Sequence, residues 1–109
     1  MSKRFVILSI ATVLWLTGCA SNPWSDIPPQ EADEWKGIGV AAQSANLFRQ
    51  SGFTPTDIKP WVQSGIQSPD TIMSWHREGF TPQETAKWQA KGFTLPRAIE
   101  LRKQGLTVQ

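Results

Sequence analysis

Large apolar side chains recur along this chain on a thirteen-residue beat. Trp35, Phe48, Trp61, Trp75, Trp88 and Leu101 each stand four residues before a glycine: Gly39, Gly52, Gly65, Gly79, Gly92 and Gly105. The residue after each glycine is also apolar: Val40, Phe53, Ile66, Phe80, Phe93 and Leu106. The glycine spacings are 13, 13, 14, 13 and 13, and mostly polar residues fill the intervals. Self-similarity of this kind defines a repeat architecture and takes precedence over other local signals.

Every unit carries helix punctuation. Thr54-Pro55-Thr56-Asp57 and Thr81-Pro82-Gln83-Glu84 read as capping boxes. In each, a hydroxyl caps, a proline takes the first helical position and a carboxylate reaches back. Ser68-Pro69 opens a further helix, and one extra residue in its loop explains the spacing of 14. The glycine ends each helix in the left-handed conformation at C′, which puts the aromatic at C3 and the residue after glycine at C″. Those two positions touch in a Schellman motif, so Trp61 with Ile66, Trp75 with Phe80 and Trp88 with Phe93 are expected local contacts.

The pattern predicts helices near 30–36, 41–51, 55–64, 69–78, 82–91 and 95–104, joined by turns of three or four residues. Segments this short are marginal alone and need packing to hold them. The apolar stripes are brief: Ile72 with Trp75, Ala98 and Ile99 with Leu101, Ala45 with Phe48. Only stacking of units side by side builds a continuous core. The expected fold is all-α, six short helices in a compact array or a short α-solenoid. Two units depart from the pattern. Pro60 removes a hydrogen bond to residue 56 and is expected to kink the third helix. Gly37 weakens the last turn of the first.

Ahead of the repeats lies a different text. Lys3 and Arg4 precede an apolar run, Phe5 to Leu16, interrupted only by Ser9 and Thr12. That run is too short to span a bilayer, which takes about 20 residues. Small residues follow at Thr17 and Gly18, and then Cys19, the only cysteine. This is the layout of a secretory signal. Leu16-Thr17-Gly18-Cys19 resembles the lipobox of bacterial lipoproteins.

The resemblance implies cleavage between Gly18 and Cys19, leaving a diacylglyceryl thioether on Cys19 and an acyl chain on its amine. Each buried methylene contributes about 0.8 kcal/mol, so two or three chains anchor a protein durably. Ala20 stands where an aspartate retains enterobacterial-type lipoproteins at the inner membrane. The implied location is therefore the outer membrane, facing the periplasm. The corresponding division is a signal peptide over 1–18, a lipidated cysteine and tether over 19–28, and a helical repeat domain over 29–109. A tether of Ala20 to Pro28 reaches at most roughly 30 Å. Within it, Trp24 either sits at the lipid headgroups or packs on the domain. The repeats themselves are loosely similar to W-x-x-x-G-F repeats in bacterial proteins of unassigned role.

Charge narrows the function. The formal net charge of +2 belongs to the signal, because removing Lys3 and Arg4 from eleven basic residues leaves nine against nine carboxylates. Such a balance argues against nucleic acid, which needs a basic footprint. With Cys19 acylated, no thiol remains for a disulfide or a thiolate–metal site.

The candidate chemistry is sparse. Five tryptophans beyond the signal raise a glycan-binding reading, with peptidoglycan as the ligand. Trp35, Trp61, Trp75 and Trp88 nevertheless share one repeat position whose phase faces the core. His76, the only histidine, is the natural acid–base candidate. Its equivalents are Lys36, Arg49, Val62, Gln89 and Arg102, a set that suits a solvent-facing position. The remaining charges follow the helix dipoles: Glu31, Asp57, Asp70 and Glu84 in first turns, Arg77, Lys91, Arg102 and Lys103 in last turns.

No catalytic triad, phosphate loop or metal cluster can be assembled from these residues. The expectation is a binding protein and not an enzyme, without metal or small-molecule cofactor. It would be held to the membrane by its lipid and act as an accessory or adaptor subunit for an envelope protein.

Overall fold

Nine-residue helices follow one another through residues 22–109, which are the residues the structure, a computed structural model, describes. They are α1 (Pro29–Gly37), α2 (Ala42–Gln50), α3 (Pro55–Gln63), α4 (Pro69–Arg77), α5 (Pro82–Ala90) and α6 (Leu95–Lys103). Among the described residues there is no strand, and the fold is all-α. The signal segment, Gly18 and Cys19 lie outside the described residues.

Local chemistry sets both ends of each helix. Thr54 and Thr81 form complete capping boxes with Asp57 and Glu84. Ser68 and Thr94 cap α4 and α6 through their hydroxyls. Each such cap contributes about 1 kcal/mol to a helix too short to persist unaided. Pro28 and Ala41 stand at the N-caps of α1 and α2 without a side-chain cap, so these two lean more on packing. Helix α3 runs unbroken through Pro60, so one missing amide bond does not end it.

Every helix closes on the same lock. The N–H of the residue after glycine donates to the carbonyl at C3 over 2.9–3.1 Å, as from Phe53 to Phe48 and from Phe80 to Trp75. The glycine N–H donates to the carbonyl at C2, as from Gly79 to His76 at 2.9 Å. This is the Schellman pattern, six times over. It requires φ > 0 at C′, and Gly79 has φ of 84°. Ring edges meet across the lock, with centroids 5.0 Å apart in Trp75–Phe80 and 5.2 Å in Trp88–Phe93. The residue before glycine takes the C-cap, so α2 to α6 end one residue earlier than the sequence pattern suggests.

Helices pack mainly on their next-but-one neighbours. Helix α1 packs on α3, α3 on α5, and α2 on α4, with further contacts of α1 with α2 and α4 with α5. Two rows result, α1–α3–α5 and α2–α4–α6, the last helix joining its row through Arg102. Between the rows lie the four indoles, none more than 4% exposed, together with fully buried Phe48. Three residues before each aromatic is a second buried position: Ala32, Ala45, Ile58, Ile72, Thr85 and Ala98. These short or branched side chains let the helices approach while the larger rings fill the space between. Thr85 is tolerated there because its hydroxyl donates to the Thr81 carbonyl at 2.8 Å.

The folded body begins earlier than the division at residue 29. Ile27 is buried in the core, and Trp24 is half-buried against it with the Lys36 ammonium 5.2 Å from its ring. Ile27 lies thirteen residues before Val40, so it repeats the C″ position ahead of the first full unit. Residues 22–28 therefore cap the N-terminal end of the array, and Trp24 packs on the domain. At the other end Leu106 is 50% exposed.

A Cβ on Gly79 would meet nothing nearer than 3.9 Å, so the strain of substitution there is conformational. Gly79→Val is expected to lower stability by more than about 1 kcal/mol in chemical denaturation, because a β-branched residue resists positive φ. An unchanged unfolding midpoint would contradict the placement of the lock.

Candidate interaction surface

Two-row packing gives the residue after each aromatic a task. In the even row this residue reaches back to earlier units: Arg49 to α1 and the turn before it, His76 and Arg102 to the C-terminal ends of α2 and α4. Arg49 on α2 donates through Nε to Glu31 at 2.7 Å and, more weakly, through Nη1 to the Asp26 carbonyl at 3.4 Å. His76 on α4 meets the Phe53 ring edge-on, with centroids 5.0 Å apart. Arg102 on α6 lies 3.8 Å above the Phe80 ring centre and donates to the Glu78 carbonyl. The expectation that this position simply faces solvent needs correction. His76 is exposed, but Arg49 and Arg102 are half-buried and join units together.

Glu31 links the first two helices. Its carboxylate accepts from the indole N–H of Trp35 at 2.9 Å as well as from Arg49. Trp35 is fully buried, and a buried indole N–H needs an acceptor. The Trp35 hydrogen bond lowers the Glu31 pKa most; desolvation opposes it, and the Arg49 hydrogen bond and charge lower it further. Asp57 is lowered likewise, first by the Thr54 backbone and side-chain hydrogen bonds of its capping box. Glu31 thus does more than complement a dipole, and its partner lies 18 residues away.

A groove of about 520 Å³ opens beside this pair. Asn46, Arg49 and Gln50 of α2 line it, with Phe53 and Thr54 from the following turn and Glu31 opposite. Amides, a guanidinium, the carboxylates of Glu31 and Asp26 and one aromatic ring make it a polar surface.

The even row continues this chemistry along one edge. Its last turns carry Arg49, then His76 and Arg77, then Arg102 and Lys103. The same two positions in the odd row hold Lys36 and Gly37, Val62 and Gln63, and Gln89 and Ala90. The repeat tryptophans are brought together only as core. Among the described residues no group of His, Cys, Asp and Glu is arranged to hold a metal ion, and no helix is long and apolar enough to cross a membrane. His76 has aromatic neighbours, Phe53 and Trp61, and its charge helps to lower the Asp57 pKa.

The basic edge escaped sequence reasoning, although a signal was present. Arg49, His76 and Arg102 are 27 and 26 residues apart, a two-unit period hidden beneath the one-unit period. The class of molecule is a six-unit helical repeat array with a polar, cation-bearing edge. Compared with protein-family models, with curated proteins and with solved structures, the chain matches none.

Because the folded-state pKa of Glu31 is depressed, its contribution to stability is present above the ordinary carboxylate range. It is lost as pH falls through the folded-state value. Glu31→Gln should therefore melt below wild type at neutral pH, with the gap closing on acidification to about pH 3. A gap that stays constant between the two pH values would show that Glu31 acts without its charge.

Proposed function

We propose that this chain is a lipid-anchored outer-membrane lipoprotein whose helical array serves as an adaptor for an envelope protein. The observation that carries the reading is the lipobox-like Leu16-Thr17-Gly18-Cys19 at the end of a short apolar run. The fold supports it in two ways. Only Ala20 and Ser21 separate Cys19 from Asn22, where the described body begins, a span of roughly 10 Å at full extension. An acylated Cys19 would hold the array against the bilayer. Stacked helical units also present extended surfaces, which suit protein ligands better than small molecules.

A glycan reading based on stacking indoles has less support. Trp35, Trp61, Trp75 and Trp88 are committed to the core, and among the described tryptophans only Trp24 stays partly exposed. Protein binding asks nothing of the buried rings beyond a firm scaffold.

Affinity purification of the full-length protein from cross-linked, solubilised envelopes, with mass spectrometry of what accompanies it, tests the reading. A near-stoichiometric envelope protein is expected, together with acyl labelling that disappears in Cys19→Ala. Recovery of the protein alone, or with cell-wall fragments only, would overturn the adaptor role. Unlabelled wild-type protein would overturn the anchor.

A further inference from the structure

We infer that the edge built from the last turns of α2, α4 and α6 docks an extended, acidic segment of a partner protein. The inference deepens the adaptor reading and rests on it. Its starting point is the uneven sorting of cations between two rows of otherwise equivalent units. Helix dipoles favour a cation at every C-terminus. Dipoles alone would thus distribute the cations evenly, yet α3 has none in its last turn. At the two positions after the aromatic, the even row has five basic side chains and the odd row only Lys36. Lys87 and Lys91 of α5 stand at other positions; on the even edge Glu31 and Asp26 flank Arg49 at the α2 end, Asp57 lies near His76, and Glu78 follows Arg77.

These cations differ in what they are free to do. Arg49 is paired with Glu31, and Arg102 is held by the Phe80 ring and the Glu78 carbonyl. Their packing fixes the edge in place before any ligand arrives, which reduces the ordering cost of binding. Arg77 and Lys103 are exposed and point to no partner in the fold, leaving two unneutralised charges one unit apart in the same row. His76 lies beside the first of them.

Spacing selects the ligand. Neighbouring helices of a row lie about 8–10 Å apart. A chain in the polyproline II conformation advances about 3.1 Å per residue with three residues per turn, so every third side chain lies on one face and meets the next unit. An acidic peptide with carboxylates three residues apart matches this period. At the α2 end, the groove offers what a peptide backbone needs. Gln50 has a free amide, and Asn46, whose amide N–H₂ donates to the Ala42 carbonyl at 3.0 Å, keeps its side-chain oxygen as an acceptor. A membrane surface would match less well, because it favours clustered charge over a single file.

The test uses full-length protein in neutral detergent and a labelled synthetic peptide carrying glutamate at every third position. A control peptide has the same composition with its glutamates clustered at one end. Fluorescence anisotropy at low salt should show tighter binding of the spaced peptide. Reversing both free cations, Arg77→Glu with Lys103→Glu, should weaken it by about tenfold or more. Reversing Lys36 and Lys91 should change it by less than about twofold. Unchanged helical circular dichroism would establish that the variants fold.

Equal loss in the two double variants, equal affinity for the two peptides, or no peptide binding would each overturn the inference. So would binding only to phosphatidylglycerol vesicles. The same Arg77→Glu/Lys103→Glu variant, purified from envelopes, separates the two claims. An envelope partner retained there would remove the edge as its dock and leave the adaptor role standing, whereas wild type without a partner removes the adaptor role itself.

Discussion

The hydrogen bond from the amide after each glycine to the carbonyl of the large apolar residue five positions earlier is the constraint on which this molecule depends. It satisfies a carbonyl the helix would leave orphaned, and it reverses the chain within a few residues. Because the donor is followed almost at once by the next helix cap, successive units repeat the same local geometry. The lock also brings two apolar side chains of one unit together, as in Trp75–Phe80 at 5.0 Å. Short helices that would fray in isolation thereby gain a local apolar contact at their C-terminal ends.

Row packing follows from that regularity. With every turn alike, alternate helices fall on the same side, and α1–α3–α5 and α2–α4–α6 become the two layers around the indoles. The alternation then acts on function. A residue type that occurs every second unit is written along one edge, and Arg49, His76 and Arg102 are such a series. Their contacts with Glu31, Phe53 and Phe80 make the edge part of the scaffold, leaving Arg77 and Lys103 as its free charges.

Much of this was legible in the chain itself. The glycines, the aromatics at C3 and the apolar residues at C″ specify where helices stop, and Thr54, Ser68 and Thr81 specify where three of them start. Local hydrogen-bonding chemistry decides such features, so a single sequence displays them. Pairing between rows was hidden, because equivalent units give no sign of whether neighbours or next-but-one neighbours pack together. Thr85 was missed as a core residue because its hydroxyl finds a backbone acceptor that composition cannot show. The Glu31–Arg49 pair and the Trp24–Ile27 cap depend on how separate units meet in space, and the boundary at residue 29 failed for that reason.

Amide hydrogen exchange followed by NMR tests the central claim most directly. The account predicts that the amides of Phe53, Ile66, Phe80 and Phe93, though outside the helices, exchange as slowly as amides within them. Exchange of these four at rates typical of an unstructured chain, while the helical amides stay protected, would contradict the lock as the organising element of the fold.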